Sequence, residues 1–184
     1  MRSARPSLIG LVVLTGGPGS GKSTLLHGLA RAGFTGTAEA GRGIIRDQMA
    51  TGETALPWVD PALFAESMLS WEMRSYRWAQ QQHSVVIFDR GVPDVLGYLR
   101  LAGLPVPAHV CAAARIFRYN RRVFVAPPWP EIFTHDTERR QDLAEAERTH
   151  DAMVDTYTEL GYELVSLPKG DLATRIEFVI DLIT

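Results

Sequence analysis

Apolar residues recur along the chain with two different periods. Ile9–Thr15 is continuous, apolar and largely branched, the pattern of a central parallel strand covered on both faces. Val85–Phe88 and Arg122–Ala126 have the same character over shorter spans, the latter cut off by Pro127-Pro128. Phe34–Ala38 and Tyr162–Leu167 complete five predicted strands. The segments between them read as helices. Lys22–Ala32 places Leu25, Leu26 and Leu29 on one face and stops at Gly33. Gly41–Gly52 carries Arg42, Arg46 and Asp47 on its polar side, and Pro61–Gln82 repeats Leu63, Phe64, Met68, Trp71 and Trp78 at helical spacing. Gly91–Ala102 and Ala108–Tyr119 are separated by the breaker run Gly103–Pro107. A charged helix over Thr137–Leu160 closes at Gly161, and a last helix starts near Asp171. Strands alternating with helices predict right-handed βαβ units and a parallel sheet with helices on both faces. The expected fold class is α/β, as a single domain over residues 1–184.

Composition agrees and removes several alternatives. A chain of 184 residues with 46% hydrophobic and 22% charged residues suits one compact domain, not disorder, collagen or coiled coil. Nineteen basic and 21 acidic side chains leave a net charge of −2, so no global attraction to nucleic acid or anionic membrane is expected. Cys111 is the single cysteine and cannot form an internal disulfide, which points to a reducing, cytoplasmic setting. The basic start Met1–Arg5 followed by Leu8–Leu14 imitates a secretion signal. Its apolar run is far too short to span a bilayer and leads into glycines and a lysine, so it reads as a buried strand.

Candidate chemistry begins directly after that strand. Gly16-Gly17-Pro18-Gly19-Ser20-Gly21-Lys22-Ser23 matches the phosphate-loop pattern G-x-x-x-x-G-K-[ST], with Thr24 continuing into the helix. A loop that wraps a polyphosphate must turn its amides inward, which needs dihedrals glycine tolerates, and the helix start adds its positive dipole end. Lys22 is positioned to reach the β- and γ-phosphates and Ser23 to ligate Mg²⁺. At average residue usage roughly 1% of chains this long would carry the pattern by chance, and the required strand and helix also flank it.

A second acidic element sets the branch. Val85-Val86-Ile87-Phe88-Asp89 ends a buried strand in a carboxylate, which suits a metal site beside the loop or, more simply, a strand-closing cap. Arg90 follows where motor-like hydrolases carry glutamate. Asn120 is the single asparagine, so an Asn-Lys-x-Asp guanine-reading motif is absent and ATP is the expected nucleotide, GTP less so. The Asp-Arg pair after the third strand resembles that of P-loop kinases. There Asp89 would hold Mg²⁺ or take a proton, and Arg90 would hold an acceptor or phosphate oxygen.

The resemblance extends through Glu39-Ala40-Gly41-Arg42, Phe88–Asp94, Pro127–Phe133 and Asp136–Arg140. Together these look like a family of small P-loop AAA-domain ATPases similar to the ribosylnicotinamide-kinase domain and to eukaryotic nucleotide- and lipid-binding proteins. It implies a P-loop NTPase fold with a kinase-like five-stranded sheet, and it puts Glu39, Arg42 and Asp94 at the acceptor site. Glu39 could orient a hydroxyl, act as base, or cap a helix locally. Arg139 and Arg140 are lid candidates, against a solvated helix face. Trp58, Trp71, Trp78 and Phe64 line a pocket or belong to the core. The loop Pro168–Asp171 sits where kinase-like folds pass the nucleobase.

The five histidines show no metal-ligand spacing, so the expected ion is Mg²⁺ arriving with the nucleotide. Two functions follow. One is transfer of a γ-phosphoryl group from a nucleoside triphosphate to a small hydroxyl-bearing acceptor, a nucleoside-like one included. The other is nucleotide-dependent regulation with slow hydrolysis. No nucleic-acid partner is expected.

Overall fold

The computed structural model describes residues 10–132 and 142–183. Five strands form one parallel sheet: β1 (Leu11–Gly16), β2 (Thr35–Gly36), β3 (Val86–Asp89), β4 (Arg122–Ala126) and β5 (Glu163–Ser166). Their spatial order is β2-β3-β1-β4-β5, so the two crossovers on either side of β1 wind in opposite directions away from the centre. That reversal opens a crevice at the carboxyl ends of β1 and β3, where such sheets collect ligands. The register sets Leu14 of β1 opposite Asp89 of β3, and Gly16 opposite Ala126 of β4.

Alternation along the central strands separates two cores. Leu11, Val13, Val86, Phe88 and Val123 face one side. There they pack under α3 (Pro61–Ala79), α4 (Val92–Leu101), α5 (Ala108–Ile116) and α6 (Leu143–Glu159). Val12, Leu14, Ile87 and Phe124 face the other, under α1 (Lys22–Arg31) and α7 (Leu172–Ile183). Burying each such side chain stabilises the fold by about 1.5–3 kcal/mol, which explains why β1 tolerates no polar position before Thr15. The remaining helix, α2 (Ala40–Thr51), packs Ile44 and Ile45 with Leu56 and Phe64.

Several boundaries differ from the sequence expectation. The second strand shrinks to two residues, because only Thr35 and Gly36 pair with β3 and no second neighbour covers that sheet edge. The charged helix starts at Leu143, where the Asp142 carboxylate accepts a hydrogen bond from the Glu145 N–H at 2.8 Å. The fifth helix ends at Ile116 rather than Tyr119, since Phe117 leaves helical geometry. Trp78, expected on the apolar stripe of α3, stands 41% exposed. No described helix is long and apolar enough to cross a membrane.

Candidate functional site

Gly16–Lys22 forms a tight loop over the end of β1. Gly16, Gly19 and Gly21 have φ of 126°, 69° and 73°, all in the region L-residues avoid. Close approach selects glycine as well: a Cβ on Gly16 would stand 2.4 Å from the Ala126 carbonyl oxygen, and one on Gly17 2.2 Å from that of Ala146. The loop is therefore pressed between β4 and α6. Side chains of the loop bond back to its own carbonyls. The Ser20 hydroxyl donates to Gly17 O at 2.8 Å, and the Lys22 ammonium donates to Gly17 O at 2.7 Å and Gly16 O at 3.3 Å. Ser23 and Thr24 lie exposed at the start of α1.

Arg175, unnoticed in the sequence, holds the loop from below. Its guanidinium donates to Ser20 O at 3.2 Å and Gly21 O at 3.4 Å and lies 5.4 Å from the Trp129 ring centre. It is buried, and burial pushes its pKa down. The signal was an arginine on the apolar stripe of α7 between Leu172 and Val179. The loop Pro168–Asp171 caps that helix, Asp171 accepting from the Thr174 N–H at 2.8 Å.

Beside the loop, β3 ends in Asp89 and the chain then makes a strained turn. Arg90 has φ 72°, costly for a side chain with Cβ and tolerated where the surroundings impose it. The turn is secured by the Arg90 N–H donating to Leu14 O at 2.9 Å. It swings the guanidinium across the strand ends, where it pairs with Glu39 at 3.4 Å and Asp94 at 3.2 Å. Burial opposes the Arg90 charge, but Glu39, Asp94 and Asp89 together hold its proton more firmly than usual. Glu39, at the start of α2, also meets Arg42 at 3.1 Å.

Asp94 sits deeper than the acceptor role expected of it. Its carboxylate receives hydrogen bonds from the Thr15 hydroxyl, the Gly91 N–H (2.9 Å) and the Tyr157 hydroxyl (2.6 Å), besides Arg90. It ties β1, the start of α4 and α6 together and fixes Arg90. Asp89 is the opposite case. Its Oδ1 is buried with no hydrogen-bond partner, and burial, then Glu39, raises its pKa against the pull of Lys22 and Arg90.

A fourth carboxyl was missed altogether. Glu72 lies on the core-facing stripe of α3 with Phe64, Ala65, Leu69 and Tyr76, and is 3% exposed. Burial, then Asp94 and Asp89, pushes its pKa well up. An acid at a position whose helical neighbours are all buried was the available signal.

Arg139 and Arg140 lie outside the described residues. Trp71 and Trp78 line a groove of about 890 Å³ between the end of β2, α2 and α3, together with Thr37, Gln48, Ser70 and Arg74. Phe64 is core, edge-on to Tyr98 at 5.5 Å, and Trp58 is 59% exposed. No group of three or more potential metal-ligating His, Cys, Asp or Glu occurs among the described residues.

A glycine-cradled lysine at the sheet's crossover point, with an Asp-Arg pair on the neighbouring strand, defines a P-loop kinase-like fold. The chain belongs to the AAA-domain family AAA_28, whose model matches residues 11–175. No curated protein matches the sequence. Solved structures share the fold. The NadR protein in complex with NR is similar with TM-score 0.67 and 22% identity, covering 95% of this chain. The chain spans only about half, 51%, of that protein's length. Deoxyadenosine kinase from M. mycoides is similar with TM-score 0.63 and 12% identity, covering 94% of this chain and 97% of its own. Thymidylate kinase from Ehrlichia chaffeensis is similar with TM-score 0.60 and 17% identity, covering 95% of this chain and 98% of its own.

Proposed function

We propose that the protein transfers the γ-phosphoryl group of ATP to a hydroxyl of a small, nucleoside-like acceptor. The carrying observation is the juxtaposition of a phosphate loop with a carboxylate–guanidinium cluster (Asp89, Arg90, Glu39, Arg42) at the ends of β2 and β3. Strained Arg90, aimed across the strand ends at Glu39 and Asp94, supports an acceptor site beside the nucleotide, whereas the unpartnered Asp89 oxygen would serve a bound Mg²⁺ under either reading. The names of its structural neighbours, kinases of deoxyadenosine and thymidylate among them, support the acceptor class.

The residues present also suit Mg²⁺. Asp89 offers a buried oxygen without a partner, and Ser23 an exposed hydroxyl on the first turn of α1. When bound, the ion neutralises charge on the β- and γ-phosphates. The loop amides and Lys22 seat the phosphates, and Lys22 must exchange Gly17 O for phosphate oxygen as it does so. Arg90 and Arg42 hold Glu39 at the acceptor side, and Arg90 shares the negative charge of the transferring group. The acceptor oxygen forms a bond to the γ-phosphorus as the bond from that phosphorus to the β–γ bridging oxygen breaks. The hydroxyl proton passes to Glu39, and the electron pair leaves on the nucleoside diphosphate. Protein contributes position and charge rather than covalent chemistry.

The test is incubation with γ-labelled ATP, Mg²⁺ and a low-molecular-weight cell extract, with ribosylnicotinamide and deoxyadenosine as defined acceptors alongside. Label in a new small molecule is expected. Label found only as inorganic phosphate would support the alternative, a nucleotide-dependent regulator with slow hydrolysis.

A further inference from the structure

The first half of the phosphate loop is held by the loop's own side chains, Ser20 and Lys22 both donating to Gly17 O. The second half is held from outside. Arg175, 154 positions beyond Gly21, donates from one guanidinium nitrogen to Gly21 O at 3.4 Å and from another to Ser20 O at 3.2 Å. Gly21 O also accepts from the Leu25 N–H at 3.1 Å, so the carbonyl that Arg175 holds is the one that opens α1. The fit is close. A Cβ on Gly21 would stand 2.6 Å from the Arg175 guanidinium and 3.1 Å from Ile132 Cδ1, and Trp129 lies against the guanidinium with its ring centre 5.4 Å away. An arginine here is costly. Arg175 is 3% exposed, its Nε is buried without a partner, and no described carboxylate pairs with it. An apolar side chain would suit the buried stripe of α7 better, were stability all that mattered.

We propose that Arg175 is a positioning residue for the nucleotide, fixing the direction of two backbone amides in the phosphate seat. The peptide bonds of the loop are trans, and in a trans peptide the N–H points opposite to the preceding C=O. Holding Ser20 O therefore sets the Gly21 N–H, and holding Gly21 O sets the Lys22 N–H. Both are turned to the side away from Arg175, where a phosphate must lie to meet the loop amides. The constraint matters at this point in the chain. Gly21 has φ 73°, and a glycine there leaves the two flanking peptide planes free to rotate at little cost. A planar guanidinium spans two adjacent carbonyls with separate nitrogens, which a single ammonium nitrogen does not do. This inference rests on the phosphate-binding half of the reading above and is independent of the acceptor.

Arg175→Ala and Arg175→Lys test this by calorimetry with two probes, Mg²⁺-ATP and inorganic tripolyphosphate, the second lacking base and sugar. Arg175→Ala should weaken both by about 10–100-fold and by the same factor, as expected when two amides aimed at phosphate lose their direction. Methylguanidine, which fits the space left by the side chain, should restore most of that loss. Arg175→Lys keeps the charge and loses the fork, and should still weaken both probes by about fivefold or more. It also decides the matter if Arg175→Ala has no cooperative melting transition. Affinity in Arg175→Lys within about twofold of wild type overturns the inference, since charge alone would then suffice. So does a loss seen with ATP and absent with tripolyphosphate, which would place the effect of Arg175 at the base. Failure of methylguanidine to restore a cooperatively melting Arg175→Ala also overturns it, the role of Arg175 then being structural. Wild-type protein that binds neither probe brings down the nucleotide reading as well.

Discussion

The phosphate loop and the proposed acceptor corner lie side by side at the sheet's carboxyl edge, yet they are built differently. In the loop most side-chain donors find carbonyls of the loop itself, although the buried Arg175 Nε has no partner. Lys22 and Ser20 donate to Gly17 O, and Arg175 supplies donors to Ser20 O and Gly21 O. In the acceptor corner the chain leaves needs open. Asp89 keeps a buried oxygen without a partner, Arg90 holds a positive φ, and burial with Asp94 and Asp89 nearby pushes the Glu72 pKa well up. The contrast separates two ways of binding. A phosphate tail is common to every nucleotide and is met by a self-supporting backbone cradle. The proposed acceptor is particular, and its corner would store unmet polarity for that ligand to relieve.

Four substitutions can break or sharpen that contrast. The largest effect belongs to Asp89→Asn, which keeps shape and removes the charge proposed to meet Mg²⁺. Turnover in the labelling assay should fall by about 10³-fold, with ATP affinity little changed. Full turnover would remove Asp89 from the mechanism. Next is Gly17→Ala, whose Cβ would press against the Ala146 carbonyl 2.2 Å away, backbone that cannot swing aside. Stability should drop by about 3 kcal/mol, read as a melting temperature lower by roughly 6–12 °C. A wild-type melting curve would show that the loop and α6 are not pressed together. Third, Lys22→Ala should weaken ATP binding by about 10–100-fold in calorimetry, as expected from deleting one charge-assisted hydrogen bond to phosphate. Equal weakening in Asp89→Asn would erase the division of labour between the two regions.

The same contrast explains what was legible in the sequence. The loop is one contiguous octapeptide after a buried strand, so local pattern suffices, and apolar periodicity gave four of the strands nearly to their ends. Pairing partners decide the rest. The second strand reads as five residues but is two, because only Thr35 and Gly36 pair with β3. Asp94 lies in a motif that suggests substrate, but its ligands Thr15 and Tyr157 stand 79 and 63 positions away, beyond any local pattern. Glu72 and Arg175 read as polar breaks in apolar stripes. A charged residue on a buried stripe is in fact the legible trace of such sites, visible once neighbours at three- and four-residue spacing are weighed together.

The last effect tests the proposed acceptor corner without any substrate. Burial among Asp94, Asp89 and Glu39 raises the Glu72 pKa in the folded protein above the value of 4.5 expected when unfolded. The folded state therefore binds a proton that the unfolded state releases. Its contribution to stability is complete below about pH 4.5 and is lost as pH rises through the folded pKa. Glutamine at that position carries no such proton. Across pH 5 to 8 in urea denaturation, wild-type protein should accordingly lose stability relative to Glu72→Gln, by at most about 1.4 kcal/mol per pH unit where the two states differ by one proton. Parallel profiles would mean that Glu72 ionises as freely in the fold as in water. Its burial would then cost nothing, and the acceptor corner would hold no store of unmet polarity for a ligand to relieve.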